Sequence, residues 1–276
     1  MVYLSVGDSW NIPSATAFDN VDGDLTSLVE VDTGGLNLNQ EGTYEVTYSV
    51  SDEAGNIGLF TLMVYVGIDV PPPIEYSAYY ETIEGLDGNE LFLELRNIIS
   101  IYTHKSYDAA RDILQISDED PSNPNNIILV YNRASVVSTW DGGTTWNREH
   151  VWPQSYLNGA SVSDLHNLKP ASNSINSSRG NKPFRDSVNS HYGSVTGGWF
   201  PGNDDKGDIA RILFYMVTRY SQLNLSTMGI LATLLEWHED DPVDDFERNR
   251  NDVIYSYQKN RNPYIDYPEL VDLIWS

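Results

Sequence analysis

At 276 residues the chain exceeds one ordinary domain and falls short of three, so two domains are expected. Cysteine is absent, which excludes disulfides, thiolate metal sites and cysteine nucleophiles together and leaves five histidines and 40 acids to carry any metal or acid–base chemistry. No run approaches the about 18 apolar residues of a membrane span, and the N-terminal stretch lacks the basic start and apolar run of a secretory signal.

The formal charge is −24, which argues against a nucleic-acid partner because phosphate contacts need Lys and Arg. That charge is segregated, however. Residues 1–75 hold twelve acids and no base, whereas Trp146 to Tyr220 holds eight Lys or Arg against six Asp or Glu. An acidic front thus precedes a locally basic segment.

From Val2 to Val66 short alternating runs are separated by turn residues: Ala15 to Phe18, Thr43 to Ser51 and Leu59 to Val66 read as strands. Tyr44, Val46, Tyr48 and Val50 fall on one face at period two, as in a strand half buried in a sandwich. Asp19, Asp22 and Asp24 offer hard oxygen ligands for Ca²⁺, but the terminal Glu of an EF-hand loop is missing at the right spacing, and a turn-forming role is favoured. The first strand starts at the chain's beginning, so further sequence upstream is expected. Pro71-Pro72-Pro73 lies in a stiff linker, dividing the chain into a module at 1–67, a linker at 68–78 and a second domain at 79–276.

In the second domain Leu91, Phe92, Leu95, Ile98 and Ile99 recur at helical spacing over Glu90 to Ser100, and Tyr107 to Ile116 continues similarly. Asn126 to Tyr131 reads as a strand. Asp208 to Gln222, Ser226 to His238 and Val253 to Lys259 read as helices. A mixed α+β domain follows, with helices around a small sheet.

The chemistry concentrates in Trp146-Asn147-Arg148-Glu149-His150-Val151-Trp152-Pro153 and in Asp164-Leu165-His166-Asn167-Leu168-Lys169-Pro170 running on to Ile175-Asn176-Ser177-Ser178-Arg179-Gly180-Asn181. A histidine beside a carboxylate, with a second polar cluster about 26 residues on, offers a base and oxygen ligands for a hard cation. Side chains of residues 149 and 150 would point to opposite faces of a regular strand, so a shared site requires an irregular backbone or a strand end. Ser172, Asn176 and Arg179, four and three apart, share one face of a helix, which places Arg179 near a bound phosphate.

Both blocks resemble the endonuclease I family of secreted and periplasmic nucleases, which carry a ββα-metal (His-Me finger) site. Ser138-Thr139-Trp140-Asp141-Gly142-Gly143, Lys206-Gly207-Asp208-Ile209-Ala210-Arg211 and Gln258-Lys259-Asn260-Arg261-Asn262-Pro263 extend the match over roughly Leu86 to Trp275. The turns of the front module are similar to those of bacterial immunoglobulin-like modules on secreted and surface proteins. The resemblance implies an all-β immunoglobulin-like sandwich followed by a nuclease domain with a ββα-metal motif. It implies a secreted endonuclease acting on DNA and also RNA with low sequence specificity, in which His150 is the general base and Glu149 and Asn176 hold Mg²⁺, with Mn²⁺ or Ca²⁺ as alternatives.

 The chain itself is expected to act as a monomer, with no transmembrane segment.

Periplasmic members of that family place an arginine in a longer insertion between the two blocks. The gap from Val151 to Leu168 has none here, which leaves Arg179 or Arg185 to stabilise transition-state charge. Arg148, Arg185 and Arg261 are assigned to the substrate, although Asp252 and Asp266 interleave with Arg261 and a salt-bridged surface is the alternative. His166 and Asn167 are expected to support the site through hydrogen bonds. His104, His191 and His238 read as structural or surface residues, and Trp146, Trp152, Trp199 and Trp237 as core. The rival function is an inactive surface-binding or adhesion protein whose front module engages a cell-surface ligand. A zinc hydrolase is disfavoured because His-Glu-x-x-His is absent.

Overall fold

A computed structural model describes residues 2–67 and 76–275. The chain divides into two compact units, Met1–Glu75 and Tyr76–Ser276. The Pro71-Pro72-Pro73 segment lies outside the described residues.

The first unit is built on β1 (Val2–Leu4), β2 (Phe18–Asp19), β3 (Gly23–Asp24), β4 (Glu30–Asp32), β5 (Gly42–Ser51) and β6 (Ile57–Val66). β1, β6, β5 and β4 form one sheet in that order, with β5 and β6 paired antiparallel from Gly42↔Val66 to Ser51↔Ile57. Alternation puts Val46 and Tyr48 of β5 on the buried face with Val64 and Val66 of β6. Trp10, Ala15, Val29, Leu36 and Leu38 pack over this face, so among the described residues the covering layer is mostly irregular chain rather than a second large sheet. The strand expected at Ala15 to Phe18 shrinks to the β2–β3 hairpin. There Asp19 Oδ1 accepts from the backbone of Val21 and Asp22, and Asp24 Oδ1 from that of Thr26. These carboxylates therefore shape turns.

The second unit contains α1 (Gly88–Ser100), α2 (Tyr107–Ser117), β7 (Glu119–Asp120), β8 (Asn123–Ile128), β9 (Ser135–Val137), β10 (Asn147–His150), β11 (Leu168–Ala171) and α3 (Asn173–Arg179). β12 (Gly193–Val195), β13 (Gly198–Phe200), α4 (Lys206–Arg219), α5 (Leu231–Asp240), α6 (Asp245–Gln258), α7 (Pro263–Asp266) and α8 (Leu270–Trp275) follow. α4 is the axis of the core, buried from Gly207 to Arg219 and packed against α1, α5 and α7. α1 contributes Leu91, Leu95 and Ile99, one stripe at helical spacing. Trp146, Trp152, Trp199 and Trp237 are all buried, in agreement with their core reading.

A second cluster joins α2 to the β10–β11 hairpin through Ala110, Ile113, Leu114, Trp146, Leu165 and Leu168. The strand expected over Asn126 to Tyr131 ends at Ile128, because the chain turns at Tyr131, whose φ of 74° is a left-handed value seldom adopted by a side-chain-bearing residue. The helix expected from Ser226 starts only at Leu231, whereas the one expected from Val253 begins eight residues earlier, at Asp245. There the Asp244 carboxylate accepts from the Glu247 backbone N–H at 2.8 Å and caps the helix.

Candidate active site

β10 and β11 form an antiparallel hairpin in the register Asn147↔Ala171, Arg148↔Pro170, Glu149↔Lys169 and His150↔Leu168, and α3 begins two residues after β11. His150 is the last residue of its strand, and the next residue donates its N–H to Asn167 O at 3.0 Å. Arg148 and His150 both meet Tyr107: the guanidinium carbon lies 3.5 Å from the ring centroid and the imidazole stacks at 5.7 Å and 20°. Glu149, between them in sequence, instead meets Tyr131 and Arg179. The opposite-face problem raised by consecutive residues is thus visible in their contacts, and α3 is the element that touches both sides. Arg179 Nη1 reaches Glu149 Oε1 at 3.0 Å and donates to His150 O at 2.9 Å.

The ring of His150 is oriented by a backbone carbonyl. Its Nε2 lies 2.9 Å from Val162 O, and since a carbonyl only accepts, Nε2 carries the hydrogen. The neutral ring therefore keeps its lone pair on Nδ1, the nitrogen available as a base. Burial lowers the imidazole pKa, the Val162 hydrogen bond opposes that, and the positive charges of Arg148 and Arg179 lower it further. The neutral form accordingly dominates at neutral pH.

Glu149 is 1% exposed, and its Oε1 accepts from the Tyr131 hydroxyl at 2.8 Å as well as facing Arg179. Burial pushes its carboxyl pKa up, while the Arg179 charge and the Tyr131 hydrogen bond pull it back. Asn176, half-buried on α3, donates through Nδ2 to Asn147 Oδ1 at 2.8 Å and to Arg148 O at 3.3 Å. These contacts engage Glu149 Oε1 and Asn176 Nδ2 and leave Glu149 Oε2 and Asn176 Oδ1 for another partner. Two hard oxygen donors beside one helix suit a small divalent cation that keeps most of its water, and no group of three or more His, Cys, Asp or Glu placed to hold a metal occurs among the described residues.

Arg179 differs from expectation. It is 1% exposed, its guanidinium holds Glu149 and the carbonyls of His150 and Val151, and it lies 4.7 Å from the Phe184 ring centroid. The face it shares with Asn176 is the face packed on β10, so it braces the strand instead of meeting solvent. Arg261 is likewise engaged, by Asp266 at 2.7 Å and Asp252 at 2.7 Å, which is the salt-bridged alternative. Arg148 lies on Tyr107 next to His150 and stays partly exposed. Arg185 is also partly exposed and donates to Phe184 O. Those two remain the arginines of the original set with a route to a phosphate.

Asn167 clamps the turn after His150: its Oδ1 accepts from Trp152 N at 2.6 Å and its Nδ2 donates to Trp152 O at 3.0 Å. His166 does not reach His150. It is buried with Nε2 3.2 Å from Asn260 O and its ring against Tyr215. Burial pushes its pKa down to about 3. Because the folded-state value lies below the ordinary one, the unfolded chain takes the proton first. This contribution to stability is complete above about pH 6.5 and is lost as pH falls toward 3, by at most about 1.4 kcal/mol per unit. Urea unfolding at about pH 7.5 and about pH 5 should show the weaker fold at the acid value, and His166→Gln should shrink the difference. An undiminished difference in the variant would assign the loss to other groups.

Tyr107, Tyr131 and Asn147 were not anticipated. Tyr131 reaches Glu149 from a turn 18 residues upstream, where its N–H donates to Asp205 Oδ2 at 2.8 Å. The available signal for Asn147 was its place in the Asn-Arg-Glu-His block.

Residues 87–269 match the family model for Endonuclease I, and residues 1–66 match that for the Ig-like domain of bacterial surface proteins. The chain is 37% identical to an extracellular ribonuclease of Bacillus amyloliquefaciens, over 96% of this chain and 94% of that protein. It is 43% identical to an extracellular ribonuclease of Bacillus subtilis (strain 168), over 74% and 80% respectively. Endonuclease-1 of Buchnera aphidicola subsp. Baizongia pistaciae (strain Bp) is 32% identical over 46% of this chain and 54% of that protein. With a family match spanning most of the second unit and one relative aligned along nearly the whole chain, this protein belongs to the endonuclease I family and is a phosphodiester-hydrolysing nuclease with an N-terminal bacterial Ig-like domain.

Proposed function

We propose that the chain is a secreted, divalent-cation-dependent endonuclease that cuts RNA, and also DNA, with little sequence preference. The observation that carries this reading is His150: a neutral imidazole fixed by Nε2–H on Val162 O, with Nδ1 left to take a proton from the attacking water. Glu149 and Asn176 would hold Mg²⁺, whose charge, when bound, offsets the negative charge gathering on the phosphate. Mn²⁺ and Ca²⁺ offer the same hard-cation chemistry. Relatives named extracellular ribonucleases favour RNA and an extracellular setting. Water as nucleophile needs no 2′-hydroxyl, so DNA is a substrate too. The Ig-like module serves as a tether or spacer at a cell surface, and no described helix is long and apolar enough to cross a membrane.

Charge supports the need for added cations. Lys169, Arg179, Arg211 and Arg219, half of the bases in the locally positive segment, are buried in ion pairs with Asp118, Glu149, Glu247 and Asp164. Few remain to meet phosphates on a chain of charge −24, so activity should continue to rise with Mg²⁺ beyond saturation of the site. Titrating Mg²⁺ at constant ionic strength checks this, and a plateau at site saturation would count against it.

The test of function is cleavage of RNA, single-stranded DNA and plasmid DNA with Mg²⁺ or with EDTA. All three should be cut with Mg²⁺ and spared with EDTA, and RNA products should carry no 2′,3′-cyclic phosphate. Cleavage that survives EDTA, or cyclic products, would overturn the mechanism.

A further inference from the structure

We propose that Asn147 and Asn173 are positioning residues that fix the amide of Asn176 so that it presents oxygen, not nitrogen, to a divalent cation. This rests on the metal reading above. Three asparagine amides run head to tail across the base of α3. Asn176 Nδ2 donates to Asn147 Oδ1 at 2.8 Å, Asn147 Nδ2 donates to Asn173 Oδ1, and Asn173 Nδ2 donates to Gly143 O. An amide flipped in isolation exchanges donor and acceptor at little cost, since its two ends are nearly the same size.

Here both ends of the row forbid the flip. Gly143 O at one end and Arg148 O, 3.3 Å from Asn176 Nδ2, at the other are backbone carbonyls, which only accept. Reversing any one amide sets oxygen against oxygen at its neighbour. The row therefore has a single polarity, and its free terminus is Asn176 Oδ1.

The outer anchor explains a motif that the chemistry had left unused. Gly142 and Gly143 have φ of 81° and 90°, left-handed values that suit glycine, and the turn is closed by Asp141, whose carboxylate accepts from the N–H groups of Thr144 and Thr145. Trp140-Asp141-Gly142-Gly143 thus aims a carbonyl at Asn173.

The test is Mn²⁺ binding by titration calorimetry to the full chain, with the thermal midpoint measured alongside. Asn147→Leu, close in shape but without an acceptor, should weaken binding roughly tenfold or more, the range for outer-shell partners of a metal ligand. Asn147→Asp keeps an acceptor for Asn176 Nδ2 but turns an oxygen toward Asn173 Oδ1, so it should weaken binding less than Asn147→Leu does, a difference that a packing role alone does not give. Asn173→Ala, at an exposed position, should also weaken binding and supplies the comparison if Asn147→Leu folds poorly. If Asn176→Ala weakens binding while the Asn147 and Asn173 variants bind as wild type, the positioning proposal fails and the metal site stands. Absence of Mn²⁺ binding by wild type would overturn the metal reading and this proposal with it.

Discussion

His150→Ala is expected to lower the cleavage rate by roughly 10²- to 10⁴-fold, the range for loss of a general base. The wild-type rate should rise with pH and level off, because Nδ1 works only when unprotonated. Burial, with Arg148 and Arg179 adding to it, depresses the imidazole pKa, so that limb should lie below the ordinary value of 6.5. In the variant the limb should vanish with the base. Single-turnover rates on a short RNA under saturating Mg²⁺ check both points. A variant within about threefold of wild type would remove His150 from the proton transfer.

Arg179→Met is expected to destabilise the fold by about 3–5 kcal/mol, the cost of leaving one member of a buried ion pair without its partner. Glu149 would lose the charge 3.0 Å from its Oε1, and the carbonyls of His150 and Val151 would lose their donor. Urea unfolding reads this directly. Pairing the change with Glu149→Gln should recover part of the loss, since the uncompensated charge is then gone. An arginine whose task is to meet phosphate would behave oppositely, with activity lost and stability kept.

The parts of this architecture legible in the sequence are those where apolar spacing carries the signal. Leu91, Leu95 and Ile99 announced α1 because a helix stripe repeats at that interval. α6 was seen only at its end because its early buried residues are Glu247, Arg250 and Asn251, held by ion pairs and hydrogen bonds that a hydrophobic pattern does not register. β10 is polar along its length for the same reason.

At the site, the block around Glu149 and His150 named the residues, but residue spacing could not say which side of α3 faces the strand. That choice buries Arg179 and half-exposes Asn176. Arg261 carried its own warning in the interleaved Asp252 and Asp266. Tyr131 escaped because its contact depends on a left-handed turn that no local pattern required.

Proton transfer at this site depends on His150 standing neutral, with its hydrogen on Nε2 and its lone pair on Nδ1. Long-range ¹H–¹⁵N correlation of the labelled imidazole, followed through a pH titration, tests it most directly. The Nε2–H tautomer is expected at neutral pH, with a pKa below the ordinary 6.5. An Nδ1–H tautomer, or a ring still protonated at neutral pH, would contradict it.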